Sequence, residues 1–140
     1  MSISGRGLGK ADGQLAFVQG TDDLGVTSRV IPGSNFVSTS SPQTLVEIRA
    51  GQGLIQRGEV MMPSAIKIDV EGFELEVLQG LCSYLASPTL RVIGIEVHFR
   101  ILKERGMTDA PSRIEHLLVC NGYSVDWRDM SHLVALRRST

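Results

Sequence analysis

The chain has 140 residues, 42% hydrophobic and 21% charged, the balance of one soluble globular domain long enough to bury a core without disulfides or metals. A formal charge of −1 offers no basic excess for nucleic acid or an anionic membrane, and no apolar run reaches the roughly 18–20 residues of a membrane span. The opening MSISGRGLGKADG has no apolar signal core, so a cytoplasmic location is expected; Cys82 and Cys120, far apart and without a CxxC pattern, are read as buried reduced thiols.

The chain divides near residue 60: residues 1–63 carry most of the 15 glycines and little periodicity, whereas 64–140 read as regular α/β structure. Gly5-Arg6-Gly7-Leu8-Gly9-Lys10 fails as a phosphate loop. A Walker loop needs glycine where Ser4 stands and Ser or Thr where Ala11 stands; a dinucleotide turn needs glycine at Lys10; no strand precedes either. It reads as a flexible start or turn. Gln14 to Val18 predicts a strand after the Asp12-Gly13 turn, with Val26 to Ile31 as its partner, closed by Pro32 to Asn35; Phe36 to Thr39 predicts another strand. Thr44 to Ile55 predicts a helix on the spacing of Leu45, Ile48 and Ile55, weakened by Gly51 and Gly53.

Ala65 to Val70 is a β-branched run ending in polar residues and Gly72. Leu75, Leu78, Cys82 and Leu85 follow at helical spacing until Ser87-Pro88. Arg91 to His98 is a second β-rich run, so the order is a βαβ unit with parallel strands. Pro111-Ser112-Arg113 opens a helix carried by Ile114, Leu117 and Leu118 and stopped at Asn121-Gly122. Tyr123 to Trp127 and His132 to Leu136 flank a short polar turn and form an antiparallel hairpin. The predicted fold class is α/β, an open sheet with too few early elements to flank its inner strands, hence a partial sheet.

Ligands of open α/β sheets bind outside the carboxyl ends of the strands, which here carry Asp69-Val70-Glu71-Gly72 and Glu96-Val97-His98. Alternation puts Lys67, Asp69 and Glu71 on one side of the first strand and Glu96 and His98 on one side of the second. Neighbouring strands in register would gather carboxylates, an imidazole and an ammonium at one rim. Such a group can take the proton of a hydroxyl being alkylated, so Asp69, Glu71, Glu96 and His98 are the candidate catalytic residues. The competing reading for Lys67 and Glu96 is a buried pair that joins two strands. Glu74 and Glu76 are read as first-turn acids complementing the helix dipole or as solvated helix face. His116 and His132 have no partner by spacing, and Trp127 is read as packing on an outer strand. Asp69, Glu71 and His98 could in principle bind a divalent cation, but no His/Cys cluster has metal-ligand spacing, and no metal is expected.

The run Ile66-Lys67-Ile68-Asp69-Val70-Glu71-Gly72-Phe73-Glu74-Leu75-Glu76-Val77-Leu78-Gln79-Gly80 resembles the signature of FkbM-type methyltransferases: a lysine-containing strand, Asp-x-Glu-Gly, a Glu two positions later, and Leu-x-Gly at the helix end. Ile95-Glu96-Val97-His98 is similar to that family's next strand, Asn121-Gly122-Tyr123 to its closing Gly-Tyr, and Leu8 to Gly13 to the turn after its third strand. The resemblance implies a class I, Rossmann-like methyltransferase sheet of seven strands, one antiparallel. It also implies S-adenosylmethionine as cofactor and O-methylation of a small-molecule or sugar hydroxyl. Residues 65–71, 91–98, 123–127 and 132–138 would be its last four strands. The family's glycine loop after strand one and its ribose-binding acid after strand two have no counterpart here, so the N-terminal cofactor half is expected to be missing. Cofactor-binding residues stay unassigned apart from a contact near Asp69. The first of the remaining strands would then be a bare apolar edge. The alternative to an enzyme is a non-catalytic fragment or interaction module that completes its sheet through a second copy or a complementing chain.

Overall fold

The computed structural model describes residues 5–18, 29–31 and 43–138. The β-branched runs of the second half form one mixed sheet. Strand β5 (Ala65–Ile68) pairs in parallel with β6 (Val92–Glu96), β6 pairs antiparallel with β8 (His132–Arg137), and β8 antiparallel with β7 (Tyr123–Trp127), giving the order β5-β6-β8-β7. One strand of the four, β8, therefore runs against the other three. Both the βαβ unit and the C-terminal hairpin expected from sequence are present. Among the described residues β5 is hydrogen-bonded to a neighbouring strand on one side only.

The first half builds a second sheet. Strand β4 (Gln43–Ala50) lies between β1 (Gly7–Gly9), parallel to it, and β2 (Gly13–Val18), antiparallel to it; β3 (Arg29–Ile31) pairs antiparallel with β2. Two expectations are corrected. Residues 7–9 are strand rather than flexible start, because β4 offers them a ladder. Residues 44–55 are not one helix: β4 runs to Ala50 and only Gly51–Gln56 is helical, as α1. The spacing of Leu45 and Ile48 mimics a helix face, yet the chain alternates, with Ile48 buried and Leu45 exposed. The strand predicted at Phe36 to Thr39 and the turn at Pro32 to Asn35 lie outside the described residues.

Helix α2 (Glu74–Leu81) joins the two halves. Leu75, Val77, Leu78 and Leu81 are all buried, so both of its flanks are covered, and it packs on β1 and β4 as well as on α1 and α4 (Ala110–Cys120). Each such side chain contributes about 1.5–3 kcal/mol through its removal from water. The predicted single helix stops at Leu81. Cys82 has φ +47°, and residues Cys82–Ala86 continue as a 3-10 helix that ends at Ser87. This break turns Cys82 outward, and Cys120 ends α4 on its solvent side. Both thiols are exposed and free, a correction to the buried cysteines expected from sequence. Between β6 and α4 the chain forms a further helix, α3 (Phe99–Glu104). Tyr123 anchors the hairpin beneath the 3-10 helix: it is fully buried, with its hydroxyl 3.0 Å from the carbonyls of Leu85 and Leu90 and 2.7 Å from Arg137 Nη2. Trp127, on the outer strand, packs against Phe99 and donates its indole N–H to Glu115 at 2.7 Å.

The halves meet backbone to backbone. A Cβ built on Gly80 would lie 1.9 Å from the carbonyl oxygen of Gly9, so α2 can approach β1 only with glycine at this position. Gly80→Ala is therefore expected to lower stability by roughly 1–3 kcal/mol in urea denaturation, the cost of overpacking. Gly13→Ala, whose Cβ would meet nothing within 4 Å, is expected to stay within about 0.5 kcal/mol of the parent.

Candidate functional site

Parallel pairing of Ile68 with Ile95 carries the next residues, Asp69 and Glu96, out at the same end of the sheet. His98 follows two positions after Glu96 and precedes the first residue of α3. One ligand atom each from Asp69, Glu96 and His98 falls within a 4.8 Å span. His98 Nε2 is 3.8 Å from Asp69 Oδ1 and 3.9 Å from Glu96 Oε1. Lys67 Nζ stands 3.7 Å from Glu96 Oε2, but Lys67 is 55% exposed, so this contact is a surface pair and not a buried clasp between strands. Glu71, the fourth candidate, is not part of the cluster; it faces the cleft described below.

Sequence reasoning missed the residue that organises this rim. Glu74, read as a dipole-complementing or solvated acid, is 0% exposed. Its Oε1 accepts the Gly72 N–H at 2.8 Å and faces His98 Nδ1 at 2.8 Å, while Oε2 has no hydrogen-bond partner. A buried carboxylate is tolerated only when it is well paired, so Glu74 fixes His98 with Nδ1 inward and Nε2 turned to Asp69 and Glu96. The available signal was its place in the motif, two residues beyond Gly72. Glu76 also differs from expectation: it pairs with Arg105, whose guanidinium also donates to the Gly72 carbonyl and stacks 3.8 Å from the centre of the Phe73 ring. The turn itself is left-handed at two successive residues, Glu71 at φ +48° and Gly72 at φ +91°; a Cβ on Gly72 would lie 2.6 Å from Ile101 Cγ2.

The other two histidines also gain partners that spacing did not reveal. His116 Nε2 lies 3.5 Å from Cys120 Sγ. His132 has Nδ1 2.9 Å from Asp129 Oδ2 and Nε2 3.4 Å from Glu96 Oε2, which extends the polar rim across β8. The Asp129 hydrogen bond is the main cause that raises the His132 pKa above the ordinary imidazole value, with Asp129 and Glu96 charge adding to it. Asp129 is held well below the carboxylate range, first by the backbone N–H groups of Ser131 and His132.

A cleft of about 440 Å³ adjoins the rim. Leu8, Leu15, Val46 and Ile48 form its wall on the first sheet, and Asp69, Val70, Glu71 and Phe73 form the opposite wall, so Asp69 belongs to both cleft and rim. S-adenosylmethionine, implied by the sequence resemblance, needs an apolar slot for adenine, acceptors for a ribose diol, and donors for an amino-acid carboxylate. The cleft supplies the first and, in Asp69 and Glu71, acceptors. Arg6, the basic residue among its described lining, is already paired with Glu47 and Glu59 at 2.7 Å each. The described residues therefore do not make a complete cradle for this cofactor.

The chain matches the model of the methyltransferase FkbM domain over residues 9–128. It is similar to the hexuronic acid methyltransferase AglP of Haloferax volcanii, with 41% identity over 66 residues, a stretch covering 47% of this chain and 26% of that protein. The aligned part is thus about a quarter of that relative's length. No solved structure matches.

The Asp129–His132 pair is open to direct measurement. His132 is expected to titrate above a free imidazole by NMR, and Asp129→Asn to bring it down. The sign for stability follows: the pair's contribution is present while His132 is charged and fades as pH rises through its raised pKa.

Proposed function

This chain belongs to the methyltransferase FkbM family, and from that premise we propose that it forms the acceptor side of an S-adenosylmethionine-dependent O-methyltransferase site whose substrate is a sugar hydroxyl. The observation that carries the reading is the convergence of Asp69, Glu96 and His98 at the carboxyl ends of two adjacent parallel strands, beside a cleft. Methylating a hydroxyl requires loss of its proton as the oxygen takes the methyl group. Two carboxylates and an imidazole nitrogen held by buried Glu74 make that proton removable, an effect typically worth about 10²–10⁴ in rate. Asp69 is the group that a molecule in the cleft and a molecule at the rim both reach; Glu71 lines the cleft, and its role in this reading is to orient what lies there. The name of the archaeal relative supports a sugar acid as acceptor. The main grip on the cofactor is, in this proposal, contributed outside the described residues, with Asp69 as the contact from this side.

A second reading rests on the one-sided pairing of β5. An unpaired parallel strand is a template for another strand, and in this reading further chain, from the same protein or a partner, completes the sheet there. The two exposed free thiols fit a reducing compartment, so the proposed location is the cytoplasm. No helix of the described residues is long and apolar enough to cross a membrane.

The test is transfer of labelled methyl groups from S-adenosylmethionine to hexuronic acid saccharides by the intact protein. Transfer is expected, and His98→Ala is expected to reduce turnover by about 10²-fold or more. Turnover within twofold of the parent in His98→Ala, Asp69→Asn and Glu96→Gln alike would remove the rim from the reaction.

A further inference from the structure

The three rim donors face one another without bonding. His98 Nε2 is 3.8 Å from one carboxylate oxygen and 3.9 Å from the other, beyond hydrogen-bond range, and the whole set spans no more than 4.8 Å. Two ligands bound to one ion at about 2.1 Å, with roughly 90–120° between them, lie about 3.0–3.6 Å apart, so the three donors need to close by only a few tenths of an ångström to share a first-row divalent ion. Two carboxylates and one imidazole on a half-open rim are a donor set for a divalent cation that keeps coordination positions free.

An independent feature points the same way. Ligating histidines typically hand their second nitrogen to a carboxylate, which fixes the ring and strengthens the ligand. Glu74 does this to His98 at 2.8 Å from a wholly buried position, so the ring is held with Nε2 turned to the gap, and the other Glu74 oxygen has no hydrogen-bond partner. Glu96 is arranged similarly. Its Oε2 is met by Lys67 and His132 at 3.7 and 3.4 Å, which leaves Oε1 turned to His98. Sequence spacing showed no metal set because its members lie 27 and 29 positions apart along the chain and meet only through the β5–β6 pairing.

We infer that Asp69, Glu96 and His98 bind a divalent first-row cation, with Glu74 as the positioning residue behind His98. The inference rests on the acceptor-side reading above and deepens it: the ion's open positions take the acceptor hydroxyl together with a neighbouring oxygen, such as that of a sugar carboxylate. The ion then makes the hydroxyl proton easier to lose, and the proton passes to the Asp69 carboxylate oxygen that is not bound to the ion as the hydroxyl oxygen takes the methyl group. This is the function of the rim's charge, and it favours acceptors that offer two adjacent oxygens.

Calorimetric titration of the purified chain with MnCl₂, with the electron paramagnetic resonance signal of free Mn²⁺ as a second measure, tests the site without reference to turnover. One ion per chain with micromolar affinity is expected. Asp69→Asn, at an exposed position, and Glu96→Gln, at a half-buried one, are expected to weaken binding at least tenfold each, and Glu74→Gln to weaken it less. Asp126→Asn, on the outer strand, should leave it unchanged. No binding up to millimolar Mn²⁺, or binding unaltered in both rim variants, overturns the inference. The same protein assayed for methyl transfer separates this from the broader proposal. Full turnover in excess chelator overturns the cation and leaves the methyltransferase reading standing. Tight, rim-dependent Mn²⁺ binding with no transfer to any sugar acid supports the cation and counts against that reading.

Discussion

A carboxylate with no access to water governs the geometry of this protein's rim. Glu74 sits at the first position of α2, and its Oε1 meets both the Gly72 N–H and His98 Nδ1. Breaking either contact leaves a buried polar group without a partner, a loss of about 1–3 kcal/mol. The turn after β5 and the end of β6 are therefore tied through a single side chain. Arg105 closes the same turn from α3's end by binding the Gly72 carbonyl and Glu76 and covering Phe73. Held from both sides, the backbone passes through two left-handed residues, Glu71 and Gly72, that it would not adopt unsupported. Asp69, before the turn, belongs to both rim and cleft, whereas Glu71, within it, lines the cleft and stays out of the rim cluster.

The rim was legible in the sequence to the extent that it depends on strand alternation. The β-branched runs around Ile68 and Ile95 identify the strands, and period two places Asp69 with Lys67 and His98 with Glu96. The structure brings Asp69, Glu96 and His98 together but not Glu71, which the same alternation placed with them: β5 ends at Ile68 and the backbone is left-handed at Glu71. Glu74 was not legible as a buried group because Glu71, Glu74 and Glu76 look alike along the chain. All three suit the start of a helix; the motif marks the middle one, but that it is buried follows from the tertiary position of His98, 24 residues later. His132 was obscured in the same way: the i,i+3 relation to Asp129 is local, but the approach to Glu96 comes from an antiparallel strand joined late in the chain.

The first half was harder to read, for a different physical reason. Leu45, Ile48 and Ile55 satisfy a helical repeat, and the two glycines that argue against helix fall in α1, where a short helix does form. What decides the issue is pairing: β1 and β2 both hydrogen-bond to β4, and only β2 is legible as a strand in the sequence, since β1 is just Gly7–Gly9. Propensity loses to a ladder supplied from both sides. The exposed cysteines have a similar origin, because the helix that would have buried Cys82 ends one residue before it.

These two levels of structure meet at the cleft. One wall, Leu8 with Leu15, Val46 and Ile48, belongs to the first sheet; the other, Asp69 to Phe73, belongs to the turn that Glu74 holds. Their separation is not set by long side chains that could repack. It is set by α2, whose Gly80 touches the Gly9 carbonyl one residue beyond Leu8 and whose first residue is Glu74 itself. A helix is stiff along its length, so a single rigid element fixes both the apolar wall and the buried carboxylate that aims His98. Substitutions at Leu8, Leu15, Val46 or Val70 therefore reshape the cleft without entering the Glu74 network, whereas changes along α2 alter wall and rim together.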